Sequence, residues 1–176
     1  MIILQFVARL IAVLRSAATP AQIGGGFIIG MAIGLIPSFV IKILLFIGLI
    51  LINVNFATAL FAAAVCGLLA FLFDPLFHSF GYFLLTDIGF LRPLYTALYN
   101  TPFVPFTGFN NTVVMGSFVV CLLLSVPVYI GVARGVIRYR ERLEPVIGQS
   151  KIVKVIQRST WYKWGVRVWK MGDQFL

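Results

Sequence analysis

Charge is what this sequence has least of. Only 11% of its 176 residues are charged, and five of those are acids. Water-soluble domains carry about 25% charged residues, so an ordinary soluble domain is excluded by composition. Histidine occurs once and cysteine twice, too few for a metal site. Cys66 and Cys121 lie inside apolar runs without CxxC spacing and read as small packing residues. No phosphate loop or nucleophile motif is present. Asp74 and His78 stand four apart and would share a helix face, yet nothing beside them completes an acid/base site. Asp74, preceding Pro75, reads instead as an interfacial helix cap. Neither an enzyme nor a cofactor is expected. A cleavable signal peptide is not evident, because the apolar start Met1-Ile2-Ile3-Leu4 lacks a positive region before it.

Hydrophobic residues make up 61% of the chain, and the stretch that organises it runs from Gln22 to Asn55. Pro37 lies near its middle and Lys42 is its single charge. An unbroken helix here would be ~45 Å long, against a hydrocarbon core of ~30 Å. Pro37 would also remove a backbone donor from its interior. Two half-helices meeting at Pro37-Ser38 fit better, as a re-entrant hairpin. Before it, residues 2–15 carry Arg9 and Arg15 and are too short to cross, which suits an interfacial helix. Residues 56–73 and 112–133 are uncharged and long enough for one crossing each, the second kinked near Pro127.

Charge sets the topology. Ten of the fourteen basic residues follow Ala133, and the net charge is +9. A basic flank belongs in the cytoplasm. With the N-terminus inside, a hairpin that enters and leaves on one face returns this tail to the cytoplasm, whereas a crossing there would put it outside. Residues 74–111 then face outward, with Asp74, Asp87 and Arg92 as their only charges. They carry ten aromatics, among them Phe77, Phe80, Tyr82, Phe83, Tyr95 and Tyr99. Short interfacial helices are expected near 76–86 and 90–99, followed by a loop over 101–111. The division is thus a membrane domain over 1–133 and a basic membrane-surface tail over 134–176. In the tail, Lys163, Arg167 and Lys170 form one helical stripe opposite Trp161, Trp164 and Val168. That pattern suits an amphipathic helix on an anionic membrane surface rather than a nucleic-acid partner.

Two features of the hairpin bear on function. Lys42 is a charge within a membrane segment, which marks either a contact for a phosphate headgroup or a side chain that snorkels to the interface. Small residues recur every fourth position: Gly26, Gly30 and Gly34, then Ala59, Ala63 and Gly67, then Ser117, Cys121 and Ser125. Such stripes let helix backbones approach closely in lipid; a glycine-lined groove for an acyl chain is the other reading. The break at Pro37-Ser38 frees backbone groups at membrane depth, the place to look for a pathway. Asn53 and Asn55 are candidate caps at the hairpin end and the next helix start.

From Pro20 to about Leu85 the chain resembles a small bacterial inner-membrane family, domain of unknown function 2062. The resemblance rests on GGGFIIGMAIGLIP, on Lys42 five residues after that proline, on Asn55, and on Asp74-Pro75 followed by Phe80-Gly81. The family more usually shows Asn-Pro at that step. The resemblance implies a multi-pass protein of the bacterial inner membrane acting in lipid or envelope biogenesis beside a larger envelope partner. The expected function is that of a lipid-handling subunit, flippase-like or lipid-feeding, with phospholipid as ligand. Lys42, Pro37, Ser38, Gly30, Gly34 and Asn55 would form its pathway. The alternative is a non-transporting anchor or assembly subunit of an envelope complex.

Overall fold

The computed structural model describes residues 18–143, and every regular element among them is helical. Pro20 opens α1 (Pro20–Leu35), where its missing N–H is no loss. The chain breaks over Ile36, Pro37 and Ser38, then resumes as α2 (Phe39–Leu51). Asn55 caps α3 (Phe56–Tyr82) with its side-chain oxygen on the Thr58 N–H. A wide turn over Phe83–Asp87 and a tight one over Gly89–Leu91 lead into α4 (Arg92–Tyr99). After a loop containing the 3₁₀ turn Val104–Thr107, α5 (Thr112–Arg138) begins on Asn111. The Asn111 carboxamide oxygen accepts from the amides of Val113 at 2.9 Å and Val114 at 3.2 Å.

α3 and α5, each with the turn that extends it, are long and apolar enough to cross a membrane. Only 22% and 28% of their most apolar stretches are buried inside the protein, so most of that surface faces outward. A core helix of a soluble protein would be largely covered; these suit a lipid solvent. The inner faces meet in a core built from Met31, Leu35, Ile36, Cys66, Phe77, Val114 and Cys121, contributed by α1, the hairpin break, α3 and α5. α2 is peripheral. Leu49 is its single buried residue, while Phe39, Ile50 and Leu51 are each more than 70% exposed.

The chain divides into two units. One spans Ala21–Val132, and the described residues on either side of it belong to the other. Within the second, the Arg140 guanidinium donates to the Ala18 carbonyl at 2.8 Å.

Two sequence expectations change here. No separate helix covers 76–86: α3 runs through Asp74-Pro75 to Tyr82. Proline removes a single N–H from the ladder. Ending the helix in apolar surroundings would expose many more backbone groups. The Ser79 hydroxyl also donates to the Pro75 carbonyl at 3.0 Å. Asp74 therefore sits within α3 and caps no helix. The crossing expected over 112–133 extends to Arg138, with Pro127 inside the helix. The interfacial helix expected over 2–15 and the tail residues Trp161, Lys163, Trp164, Arg167 and Lys170 lie outside the described residues.

Candidate functional site

The site is built on α1 and α2, whose outer ends are joined. At the start of α1, the Gln22 carbonyl accepts from the Asn55 amide at 3.0 Å. The Gln22 carboxamide donates to Asn53 Oδ1 at 2.9 Å. Chain entering α1 and chain leaving α2 thus meet at one end. Asn55 is buried there, its Oδ1 accepting from the Thr58 amide at 2.8 Å and the Thr58 hydroxyl at 2.7 Å. Its Nδ2 is buried without a partner among the described residues.

Along α1 the glycines face α3. Gly26 packs on the Asn55 carbonyl, Gly30 on the Ala59 carbonyl and Gly34 on Ala63 and Gly67. The pairs advance together along both chains, so α1 and α3 run in the same direction. A methyl group on Gly34 would stand 2.7 Å from the Ala63 carbonyl oxygen and the Gly67 nitrogen. This close approach is what small residues supply where apolar burial gives helices no reason to associate. It also corrects the groove reading: α3 backbone fills the glycine face, leaving Gly30 and Gly34 no room to line an acyl-chain path. A second such crossing joins α3 to α5, with Gly81 on the Thr112 carbonyl and Gly116 on the Phe77 carbonyl. Beside it, His78 Nδ1 and Thr112 Oγ1 are hydrogen-bonded at 2.6 Å.

At the other end of α1 the break is pinned. Pro37 is exposed, whereas Ser38 is 5% exposed. The Ser38 hydroxyl donates to the Thr107 carbonyl at 2.5 Å and accepts from the Ile41 amide at 3.4 Å. One side chain thus caps α2 and ties the hairpin to the 101–111 loop. The Lys42 amide donates to the Ser38 carbonyl at 3.0 Å, which places this residue in the first turn of α2. Lys42 is half-buried, and its ammonium has no hydrogen-bond or ion-pair partner among the described residues. Ile43, Leu44, Phe46 and Ile47 beside it are exposed. The cation therefore lies close to the pinned end of the hairpin. Snorkelling back to the end at Gln22 would take it along most of α2, ~14 Å.

The structure brings Pro37, Ser38 and Lys42 together at one end and places Asn55 at the other, with Gly30 and Gly34 facing α3 between them. Sequence reasoning missed Thr107, Gln22 and Thr58 as partners. Asn55 followed three residues later by Thr58 was a local capping signal; the Thr107 carbonyl carries none.

The family model described as an uncharacterized protein conserved in bacteria (DUF2062) matches residues 5–144. An uncharacterized protein of Treponema pallidum (strain Nichols) is 29% identical over 147 residues, covering 83% of this chain and 90% of the relative. No solved structure matches the chain. The matched span takes in α1 to α5 whole, with both membrane-length helices and the hairpin packed on them: the chain belongs to the DUF2062 family.

Proposed function

We propose that this is a multi-pass protein of the bacterial inner membrane that handles phospholipid at the α1–α2 hairpin, with Lys42 holding a headgroup phosphate. The observation that carries the reading is the setting of Lys42. It is the sole charge between Gln22 and Asn55, stands in the first turn of α2, and is flanked by exposed apolar side chains. An ammonium is a suitable point-charge partner for phosphate, and the contact strengthens where water is partly excluded. The joined ends of the hairpin support a re-entrant path, in and out on the cytoplasmic face. The two long helices then leave the basic tail on that same side. The broken helix would present lipid beside Ser38, feeding a larger envelope partner.

A second reading is favoured by a specific observation. The glycine faces of α1 and α3 are closed on each other, as suits an anchor or assembly subunit that moves nothing. Replacement of Lys42 separates the two. Lys42→Ala should reduce function and copurified phospholipid while leaving expression intact, and Lys42→Arg should retain part of both. Full complementation of a deletion strain by Lys42→Ala, with the same phospholipid bound, would put anchoring first.

A further inference from the structure

The geometry points to a second binding site, for the ring of a neutral, hydroxyl-rich sugar, between α4 and the loop that follows it. A shallow, open groove of about 380 Å³ lies there. Its apolar wall is formed by Leu85, Tyr95, Tyr99 and Phe109, and its polar wall by Thr96, Asn100 and Asn110. No charged side chain among the described residues lines it, so a phosphate or an ammonium ligand would find no counter-charge from them.

What the lining does offer is aromatic side chains beside carboxamides. A pyranose presents the matching pair, an apolar C–H face and an edge of neighbouring hydroxyls. Each asparagine carries two donors and an acceptor, which suits hydroxyls acting in either role. The side-chain amides of Asn100 and Asn110 make no hydrogen bond with other described residues. The walls themselves are held. The Tyr95 hydroxyl donates to the Leu84 carbonyl at 3.1 Å, and the Thr101 hydroxyl to the Ala97 carbonyl at 2.9 Å. Burial pushes the Tyr95 phenol above its ordinary pKa. Gly108 has a φ of 72°, and the Asn111 amide closes that turn on its carbonyl at 2.9 Å, bringing Phe109 and Asn110 back over α4. Order of this kind lowers the entropic penalty of binding.

The groove sits on the segment between the two membrane-length helices, so the ring can come from a soluble saccharide or from a glycolipid headgroup. The site does not depend on the role given to Lys42. The test uses the full chain in phosphatidylcholine nanodiscs. One arm titrates maltose, read by saturation-transfer NMR. The other adds 10 mol% monoglucosyl diacylglycerol, read by hydrogen-exchange protection of residues 92–111. Saturable binding is expected in at least one arm, and the responding arm identifies the source. Tyr99→Leu and Asn110→Leu should each weaken it about tenfold or more, while Tyr99→Phe and Phe106→Leu should leave it within about twofold. No response in either arm would overturn the site. So would equal protection by phosphatidylglycerol, or binding unchanged in Tyr99→Leu and Asn110→Leu.

Discussion

The Ser38 hydroxyl donates to the carbonyl of Thr107, 69 residues later in the chain, and the same oxygen caps α2. The hairpin break and the loop between the long helices are therefore one structural unit. Ser38→Ala removes both interactions and leaves the Thr107 carbonyl without that donor. A stability loss of ~1–2 kcal/mol is expected, as for loss of a helix cap and a part-buried hydrogen bond. Thermal unfolding of the detergent-solubilised protein measures it, with Ser38→Thr retaining most of the stability. An unchanged midpoint in Ser38→Ala would show that the bond holds nothing.

The glycines fall into two classes that behave oppositely. A Cβ at Gly30, Gly81 or Gly116 would collide with the backbone of a neighbouring helix, whereas one at Gly131 or Gly135 meets nothing within 4 Å among the described residues. Gly30→Ala, Gly81→Ala and Gly116→Ala should each destabilise by ~1–3 kcal/mol, as overpacking does. Gly131→Ala and Gly135→Ala should be neutral or gain up to ~1 kcal/mol from helix propensity. The same unfolding assay ranks the five. A penalty at Gly131 matching that at Gly30 would contradict the assigned contacts.

These two cases also mark how far the sequence could be read. The long helices were legible because their apolar runs contain no charge. The glycine period of four was legible as a close contact along one helix face, but whether a helix backbone or an acyl chain fills that face was not; the structure puts α3 there. That Gly30 meets Ala59 was not, because backbone carbonyls leave no trace in side-chain patterns. The Ser38–Thr107 bond was hidden for the same reason. Pro75 misled, as a proline in water would have ended the helix that here continues to Tyr82. Tyr95 and Tyr99 stood out as aromatics, but their convergence with Phe109 depends on the turn at Gly108.

The basic tail gives a prediction read from sequence alone. Residues 151–170 should fold as a surface helix on anionic lipid, with Trp161 and Trp164 at headgroup depth and Lys163, Arg167 and Lys170, on the other stripe, reaching the anionic headgroups with their long side chains. Each basic residue near the surface should contribute ~1 kcal/mol, falling as salt screens it. A peptide of this stretch should gain helicity on anionic vesicles, measured by circular dichroism. No gain at low salt would discard the idea.

In the proposed topology the two ends of the hairpin lie on one face of the membrane, opposite the 101–111 loop. Single cysteines at Ala21, Ile52 and Phe106, all exposed positions, test it directly, since the native Cys66 and Cys121 are buried. A membrane-impermeant maleimide added to intact spheroplasts reaches the periplasmic face alone. Phe106→Cys should label in intact spheroplasts, and Ala21→Cys and Ile52→Cys only after lysis. Labelling of Ala21→Cys and Ile52→Cys from opposite sides, or of Phe106→Cys and Ile52→Cys from the same side, would contradict the hairpin.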